Sequence, residues 1–219
     1  MSFEESRETR VSGSDGSFAA GAGGASFRRS RRFAIVSLFA LAVAACGGSP
    51  SATFDLSPAS GATGRAGRGQ LAVSEPVAIS PFDSERIVVR AGAGADQVAY
   101  LKGAQWTDRL PRLLQSRLVQ TFENGRLLRA VGRSGDKIAA DYSLTSEIRH
   151  FEIDVATSTA VVEISAKLVS EQTGRIRAAR IFRAQVPGSA ADGAQASVAL
   201  DAALSQVMRE IVRWASAAM

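Results

Sequence analysis

The chain has 219 residues, of which 46% are hydrophobic, and this share is enough to form an ordinary globular core. Its formal net charge is +5 at pH 7, but the basic residues are scattered and form no block that would follow a phosphate backbone, which argues against a nucleic-acid-binding protein. The single cysteine excludes an intramolecular disulfide.

The first 27 residues are rich in Ser, Gly and Ala and contain few large apolar side chains. A segment of this composition buries too little apolar surface to offset the entropy lost on ordering. We interpret residues 1–27 as a disordered leader, or as the product of a start codon assigned too early.

Residues 28–45 have the three parts of an export signal. Its basic start consists of Arg28, Arg29, Arg31 and Arg32. The uncharged apolar run Phe33–Ala45 follows and ends in small residues directly before Cys46, as in a bacterial lipoprotein processing site. The alternatives are an uncleaved anchor or a buried helix, but the run is shorter than the roughly 20 apolar residues that cross a bilayer. The sequence therefore predicts a lipoprotein signal peptide, with Cys46 as the site of lipid attachment.

Residues 46–69 are predicted to form a lipid-anchored stalk and linker, with a short strand at 53–58. Alternation of apolar and polar residues through Phe54 and Leu56 stops at Pro58, which suits an edge strand. Residues 59–69 are small residues and arginine, a composition typical of a loop or linker.

Six further strands are predicted within residues 70–219. Pro76 is expected to force a bulge or an edge position in the first of them, and a bulge or bend is expected near Arg149-His150. The last three strands, joined by a turn at Thr173-Gly174, are predicted to form an antiparallel meander. The six ranges are 70–80, 86–90, 98–101, 138–155, 159–170 and 176–186, of which the last three form the meander.

Two amphipathic helices are predicted from apolar residues at helical spacing. The first spans 106–123, with Trp106 on its apolar stripe, a cap at Thr107 and Asn124-Gly125 at its end. Its outward-facing residues are expected to be Arg109, Arg112, Gln115 and Arg117. The second spans 197–217 and carries Trp214 on its apolar face. These elements predict an α+β layered domain at 70–219, with a largely antiparallel sheet covered by two helices.

Few residues suggest catalysis, a cofactor or a metal. His150 is the only histidine, and a lone histidine in a strand usually has a structural or surface role. The carboxylates of Asp136 and Asp141, or of Glu147 and Glu152, are possible pairs whose separation the sequence does not give. Trp106 and Trp214 either line an apolar groove or belong to the core, and we favour the core. We therefore expect a non-enzymatic protein with no cofactor.

The order of these features resembles the ABC-type transport auxiliary lipoproteins. The resemblance covers about residues 46–219 and rests on the small residues before Cys46, on Phe54, Leu56 and Pro58 shortly after it, and on Trp106 in Trp-Thr-Asp-Arg-Leu-Pro. Phe54 stands where the family usually has tyrosine, so any role of that hydroxyl is missing here.

The resemblance implies a lipoprotein on the outer membrane that faces the periplasm and serves a transport system. That system would contain an MCE-domain protein, an ABC permease and an ATPase, and it would move phospholipid or similar apolar molecules between membranes. The chain would act as anchor and adaptor, docking through the sheet edge beside Phe54 or the outer surface of the first helix. A free-standing lipid-binding lipoprotein and an envelope-maintenance lipoprotein are the alternatives.

Overall fold

A computed structural model describes residues 51–91 and 97–219. These residues form nine strands and two helices. In chain order the elements are β1 (Ala52–Phe54), β2 (Gln70–Val73), β3 (Val77–Ala78), β4 (Arg86–Ala91), β5 (Gln97–Trp106), α1 (Leu110–Gly125), β6 (Ala130–Arg133), β7 (Tyr142–Asp154), β8 (Thr159–Ser170), β9 (Ile176–Pro187) and α2 (Gly193–Ala218).

The long strand β7 is the centre of the sheet. Along one side it pairs with β8 in antiparallel fashion, and along the other it pairs in turn with β2, β3 and β4, all parallel to it. Pro76 lies in the gap between β2 and β3, where its missing N–H removes no sheet hydrogen bond. The sequence predicted a bulge or an edge position at Pro76 within one strand, and the structure instead divides that strand there into β2 and β3.

The remaining strands extend the sheet on both sides. β9 pairs with β8, β5 with β4, β1 with β5 and β6 with β2. The register of β7 on β8 shifts between Ile148 and His150, which confirms the bulge or bend expected there. The turn at Thr173-Gly174 is also confirmed, because Gly174 has a φ of 66° and donates its N–H to the carbonyl of Ser170 at 2.8 Å.

Both helices pack on one face of the sheet. Alternate residues of β7 and β8, such as Leu144, Phe151 and Ile164, face the helices and are at most 1% exposed. The intervening residues Glu147 and Lys167 are exposed on the opposite face. The predicted α+β class, with a sheet covered by two helices, is confirmed.

The start of α1 differs from the prediction. Trp106 ends β5 instead of opening the helix, because its N–H bonds to the carbonyl of Glu85 at 2.7 Å and continues the strand ladder. The helix begins at Leu110, with Pro111 in its first turn as expected, and no side chain caps it. The predicted Thr107 cap was wrong, since the Thr107 hydroxyl instead lies 3.4 Å from Asp55 Oδ1.

Two further details of the helices differ from expectation. Gln115, expected to face outward, is 8% exposed and donates its amide to the carbonyl of Val73 at 3.0 Å. α2 begins four residues earlier than predicted, at Gly193, because Asp192 caps it by accepting the N–H of Gln195 at 2.8 Å. Within the described ranges, neither helix is long and apolar enough to span a membrane.

Candidate functional site

The residues of the predicted motif lie close together at the edge of the sheet that β1 forms. β1 lies parallel to the end of β5, so that Phe54 is the register partner of Trp106. The carbonyl of Phe54 accepts the N–H of Thr107 at 2.9 Å. Trp106 is 1% exposed and packs edge-to-face on Phe151, with ring centroids 5.9 Å apart. The two halves of the motif, fifty residues apart in sequence, are therefore neighbours.

Asp55 fixes this edge to α1 through its carboxylate. Oδ2 lies 2.5 Å from Nη2 of Arg117, and Oδ1 accepts the N–H of Leu56 at 2.7 Å. Partial burial raises the pKa of Asp55, but the hydrogen bond from Arg117, the Leu56 N–H and the charge of Arg117 outweigh it, so the pKa lies below its ordinary value. The carboxylate is thus held ionised as the centre of this contact.

The next residues are held against both helices. Leu56 is 2% exposed, and the N–H of Ser57 donates to Asp201 on α2 at 2.7 Å. Pro58 is half-buried, and Ala59 donates its N–H to the hydroxyl of Thr121 on α1 at 3.0 Å. The strand predicted at 53–58 is therefore shorter, spanning Ala52–Phe54, and the residues after it pack against the helices. We call residues 52–59 the N-terminal clasp.

Glycines farther along this stretch allow close packing on α2. A methyl group at Gly67 would lie 2.9 Å from the carbonyl oxygen of Ser216, and one at Gly69 would lie 2.7 Å from the Met219 side chain. Ala62 is also buried. Residues 59–69 have no regular secondary structure, but they follow the surface of α2 closely.

The predicted lipid-attachment residue Cys46 lies outside the described residues. The same is true of the basic residues of the predicted signal, Arg28, Arg29, Arg31 and Arg32. Among the predicted motif positions, the structure brings Phe54, Leu56, Pro58 and Trp106 into one region and buries Leu56 and Trp106 in the core.

Trp214 has a different environment from Trp106. It is half-buried, packs edge-to-face on Phe182 with centroids 5.4 Å apart, and lines an open groove with Arg180 and Arg213. The expectation that both tryptophans are core residues holds for Trp106 and only partly for Trp214.

His150 lies on the uncovered face of the sheet, within a charged cluster. Its Nδ1 lies 2.9 Å from Oε1 of Glu152. The Glu152 carboxylate also accepts hydrogen bonds from Nε of Arg90 at 2.8 Å and from Nη2 of Arg90 at 3.1 Å. Glu152 is 2% exposed, so this pairing neutralises a buried charge. The sequence alone did not indicate that Arg90 pairs with Glu152, because the two residues are 62 positions apart in the chain.

The carboxylates considered as pairs each have other partners. Asp136 accepts the N–H of Arg133 at 2.7 Å, Asp141 accepts that of Gln70 at 2.9 Å, and Glu147 lies 3.6 Å from Arg149. Over residues 51–91 and 97–219, no three His, Cys, Asp or Glu side chains are grouped so as to hold a metal ion.

The two docking surfaces suggested by the sequence have different character. β1 pairs with β5 alone among the described strands, which leaves its other edge open there. At the start of α1, the side chains of Arg109, which directly precedes the helix, and of Arg112 are 44% and 60% exposed and pair with Asp83 and Asp108. One surface offers backbone groups, and the other offers partly neutralised arginines.

Comparison with known proteins gives a consistent result. The model of the ABC-type transport auxiliary lipoprotein component family matches residues 53–212. The protein bll6063 of Bradyrhizobium diazoefficiens is 31% identical over 146 residues, which are 66% of this chain and 38% of that protein. The chain thus corresponds to well under half the length of this relative.

Two crystal structures share the fold. Protein XCC0632 from Xanthomonas campestris superposes with a TM-score of 0.67 at 30% identity, covering 76% of this chain and 95% of the other. A second crystal structure gives a TM-score of 0.59 at 14% identity, covering 76% and 99%, and supports the fold alone. Because the family model spans the clasp, the sheet and both helices, the chain belongs to the ABC-type transport auxiliary lipoprotein component family.

Proposed function

We propose that this protein is a lipid-anchored auxiliary subunit of an ABC transport system that contains an MCE-domain protein. It would face the periplasm from the outer membrane and connect the membrane to the MCE-domain protein, while the ABC permease and ATPase act at the other end. The transported material would be phospholipid or a similar apolar molecule. Family membership supports the transport role, and the apolar run before Cys46 supports the anchor.

The main observation in support of the adaptor role is that residues 52–59, the clasp, are held against the domain. Because hydrogen bonds and ion pairs hold the chain from Ala52 onward, only the six residue steps from Cys46 to Ala52 can act as tether. Six extended residues reach at most about 20 Å. A lipid on Cys46 would therefore keep the domain close to the bilayer and raise its effective concentration for a partner that arrives there.

The packing of the aromatic residues favours an adaptor over a free-standing lipid carrier. A carrier would need an enclosed apolar cavity, and the large aromatic side chains that could line it are Trp106, Phe122, Phe151 and Phe182. Each of these side chains is 1% exposed and belongs to one continuous core. These rings pack against other core residues, as Trp106 does on Phe151.

The anchor is tested by labelling cells with a palmitate analogue. The full chain should carry label, and Cys46→Ala should lose it, while Ser51→Ala provides a matched control that should keep it. Three acyl chains are expected at Cys46, and two already give stable anchoring. Label retained in Cys46→Ala would contradict the proposed attachment site.

The adaptor role is tested by co-purification from detergent-solubilised membranes. We expect the full chain to recover an MCE-domain protein. If α1 provides the docking surface, Arg112→Glu should reduce that recovery, whereas Arg175→Glu on the β8–β9 turn should not. Recovery of outer-membrane proteins without any MCE-domain protein would instead favour an envelope-maintenance lipoprotein.

A further inference from the structure

An open apolar groove lies between the end of β9 and the first turns of α2. It has a volume of about 680 Å³, and its lining includes Val186, Pro187, Gly188, Ala194, Val198 and Ala202. None of the residues that line it carries a charge. Val198 is 69% exposed, although it is a branched aliphatic residue in a well-formed helix. The groove is thus an apolar surface that the described part of the chain leaves uncovered.

The shape of the groove depends on close packing at Gly188. A methyl group there would lie 2.8 Å from the Cβ of Ala199 and 3.0 Å from the backbone nitrogen of Ala160. Glycine therefore lets the chain after β9 pass close to α2 and to the start of β8. Beside this passage, the β7–β8 turn supplies the lining residue Ser158 and also carries Val155, which is 48% exposed.

The N-terminal clasp reaches the same end of α2 as the groove. Ala52 is the register partner of Ala104 on β5, so the two backbones are about one strand spacing, roughly 4.8 Å, apart. A methyl group at Gly193 would lie 2.6 Å from the Cβ of Ala104 and 2.7 Å from the ring of Phe54. Gly193 is the first residue of α2, and the next residue, Ala194, lines the groove. The clasp and the groove therefore meet neighbouring residues at the start of α2.

We propose that this groove, with Val198 at its rim, rests on the surface of the bilayer that holds the lipid on Cys46. The inference relies on the proposed anchor, since a tether of at most about 20 Å brings this end of the domain to the membrane. An uncharged lining fits the boundary between headgroups and acyl chains, where apolar side chains are buried by roughly 5–10 Å. A patch of this size binds weakly alone, and the tether provides the effective concentration that makes the contact persistent.

The chain permits a site-specific test because Cys46 is its only cysteine and acylation blocks that thiol. Val198→Cys in the full, acylated chain can be labelled with an environment-sensitive nitrobenzoxadiazole probe. The protein is then reconstituted into vesicles of phosphatidylcholine and phosphatidylethanolamine, with and without doxyl-labelled phosphatidylcholine. Ile176→Cys is the matched control, because Ile176 is 57% exposed and lies ten residues from Val186 along β9, or about 33 Å.

We expect the probe at position 198 to shift to shorter wavelength in vesicles and to lose emission to doxyl lipid, because its apolar surroundings would be buried at the headgroup boundary. The probe at position 176 should show neither change. A probe at 198 that remains in water while the protein stays on the vesicles would overturn the groove contact and leave the anchor intact.

Two other outcomes would also overturn the proposal. A shift to shorter wavelength without quenching by doxyl lipid would mean that protein covers the groove, either a second copy or another subunit. Failure of the full chain to acquire acyl label at Cys46 would remove the anchor and the membrane contact together, and the labelling assay identifies that case independently.

Discussion

Arg117 on α1 reaches across to Asp55, the residue that follows β1, and their side chains meet at 2.5 Å between Nη2 and Oδ2. The Arg117 side chain is only 16% exposed, whereas that of Asp55 is 52% exposed. The pair therefore attaches the edge of the sheet to a buried part of the first helix. It also links the two ends of the family motif, since Asp55 accepts from Thr107 as well.

Replacing Asp55 with Asn should weaken the clasp modestly. Because the carboxylate is half-exposed, we expect a loss of less than about 1 kcal/mol in the free energy of unfolding at pH 7, measured by urea denaturation. Glu171→Gln, on the exposed β8–β9 turn, is the control and should change stability by no more than about 0.5 kcal/mol.

The effect of Asp55→Asn should depend on pH in a defined direction. The pKa of Asp55 is lowered in the folded protein, so its stabilising contribution is present above the unfolded-state pKa of about 3.9 and is lost as pH falls through the folded value. The difference between wild type and variant should be constant from neutral pH down to about pH 5 and shrink below about pH 4. A difference that grows on acidification would contradict the role assigned to the Asp55 carboxylate.

Thr121→Val should release the C-terminal end of the clasp. The Thr121 hydroxyl accepts the N–H of Ala59 at 3.0 Å and donates to the carbonyl of Arg117 at 2.6 Å, and the residue is 0% exposed. Valine has a similar shape but leaves the Ala59 N–H without its acceptor, at a cost of about 1–3 kcal/mol. Hydrogen exchange should accelerate at Ala59, whereas Thr145→Val on the exposed sheet face should leave it unchanged.

Gly193→Ala should separate α2 from the edge of the sheet. The new methyl group would meet Ala104 at 2.6 Å and the Phe54 ring at 2.7 Å, and backbone movement to relieve such overlap costs about 1–3 kcal/mol. We expect lower stability and faster exchange of β1 amides. Gly64→Ala is the matched control, because its nearest neighbour would lie at 3.5 Å, and unchanged β1 exchange in both variants would count against the packing described.

Trp106→Ala should be the most damaging single change in the motif. The side chain is 1% exposed and packs on Phe151, so its removal leaves a large cavity and costs about 3–5 kcal/mol. Trp214→Ala should cost less, because Trp214 is half-buried beside an open groove. Comparable losses of melting temperature in the two variants would mean that Trp214 contributes more than its burial indicates.

Hydrophobic periodicity in the sequence was enough to determine the class of the fold. Alternation predicted β7, β8 and β9 with their turn, and helical spacing predicted both helices, because each pattern is local and repeats over ten residues or more. The bulge near Arg149-His150 was also readable, since the apolar phase changes there. The motif that relates the chain to its family is likewise a property of the sequence.

Tertiary structure decided how the short segments are used. Trp106 lies in a helical pattern, but the hydrogen bond from its N–H to the carbonyl of Glu85 keeps it in β5. The pairing of β2, β3 and β4 along β7 depends on contacts between residues more than fifty positions apart in the chain. Residues 55–58 were predicted to continue a strand and Ala59 to begin a linker, yet Asp55, Ser57 and Ala59 find partners on α1 and α2. Such partners come from distant parts of the chain, and local propensity carries no information about them.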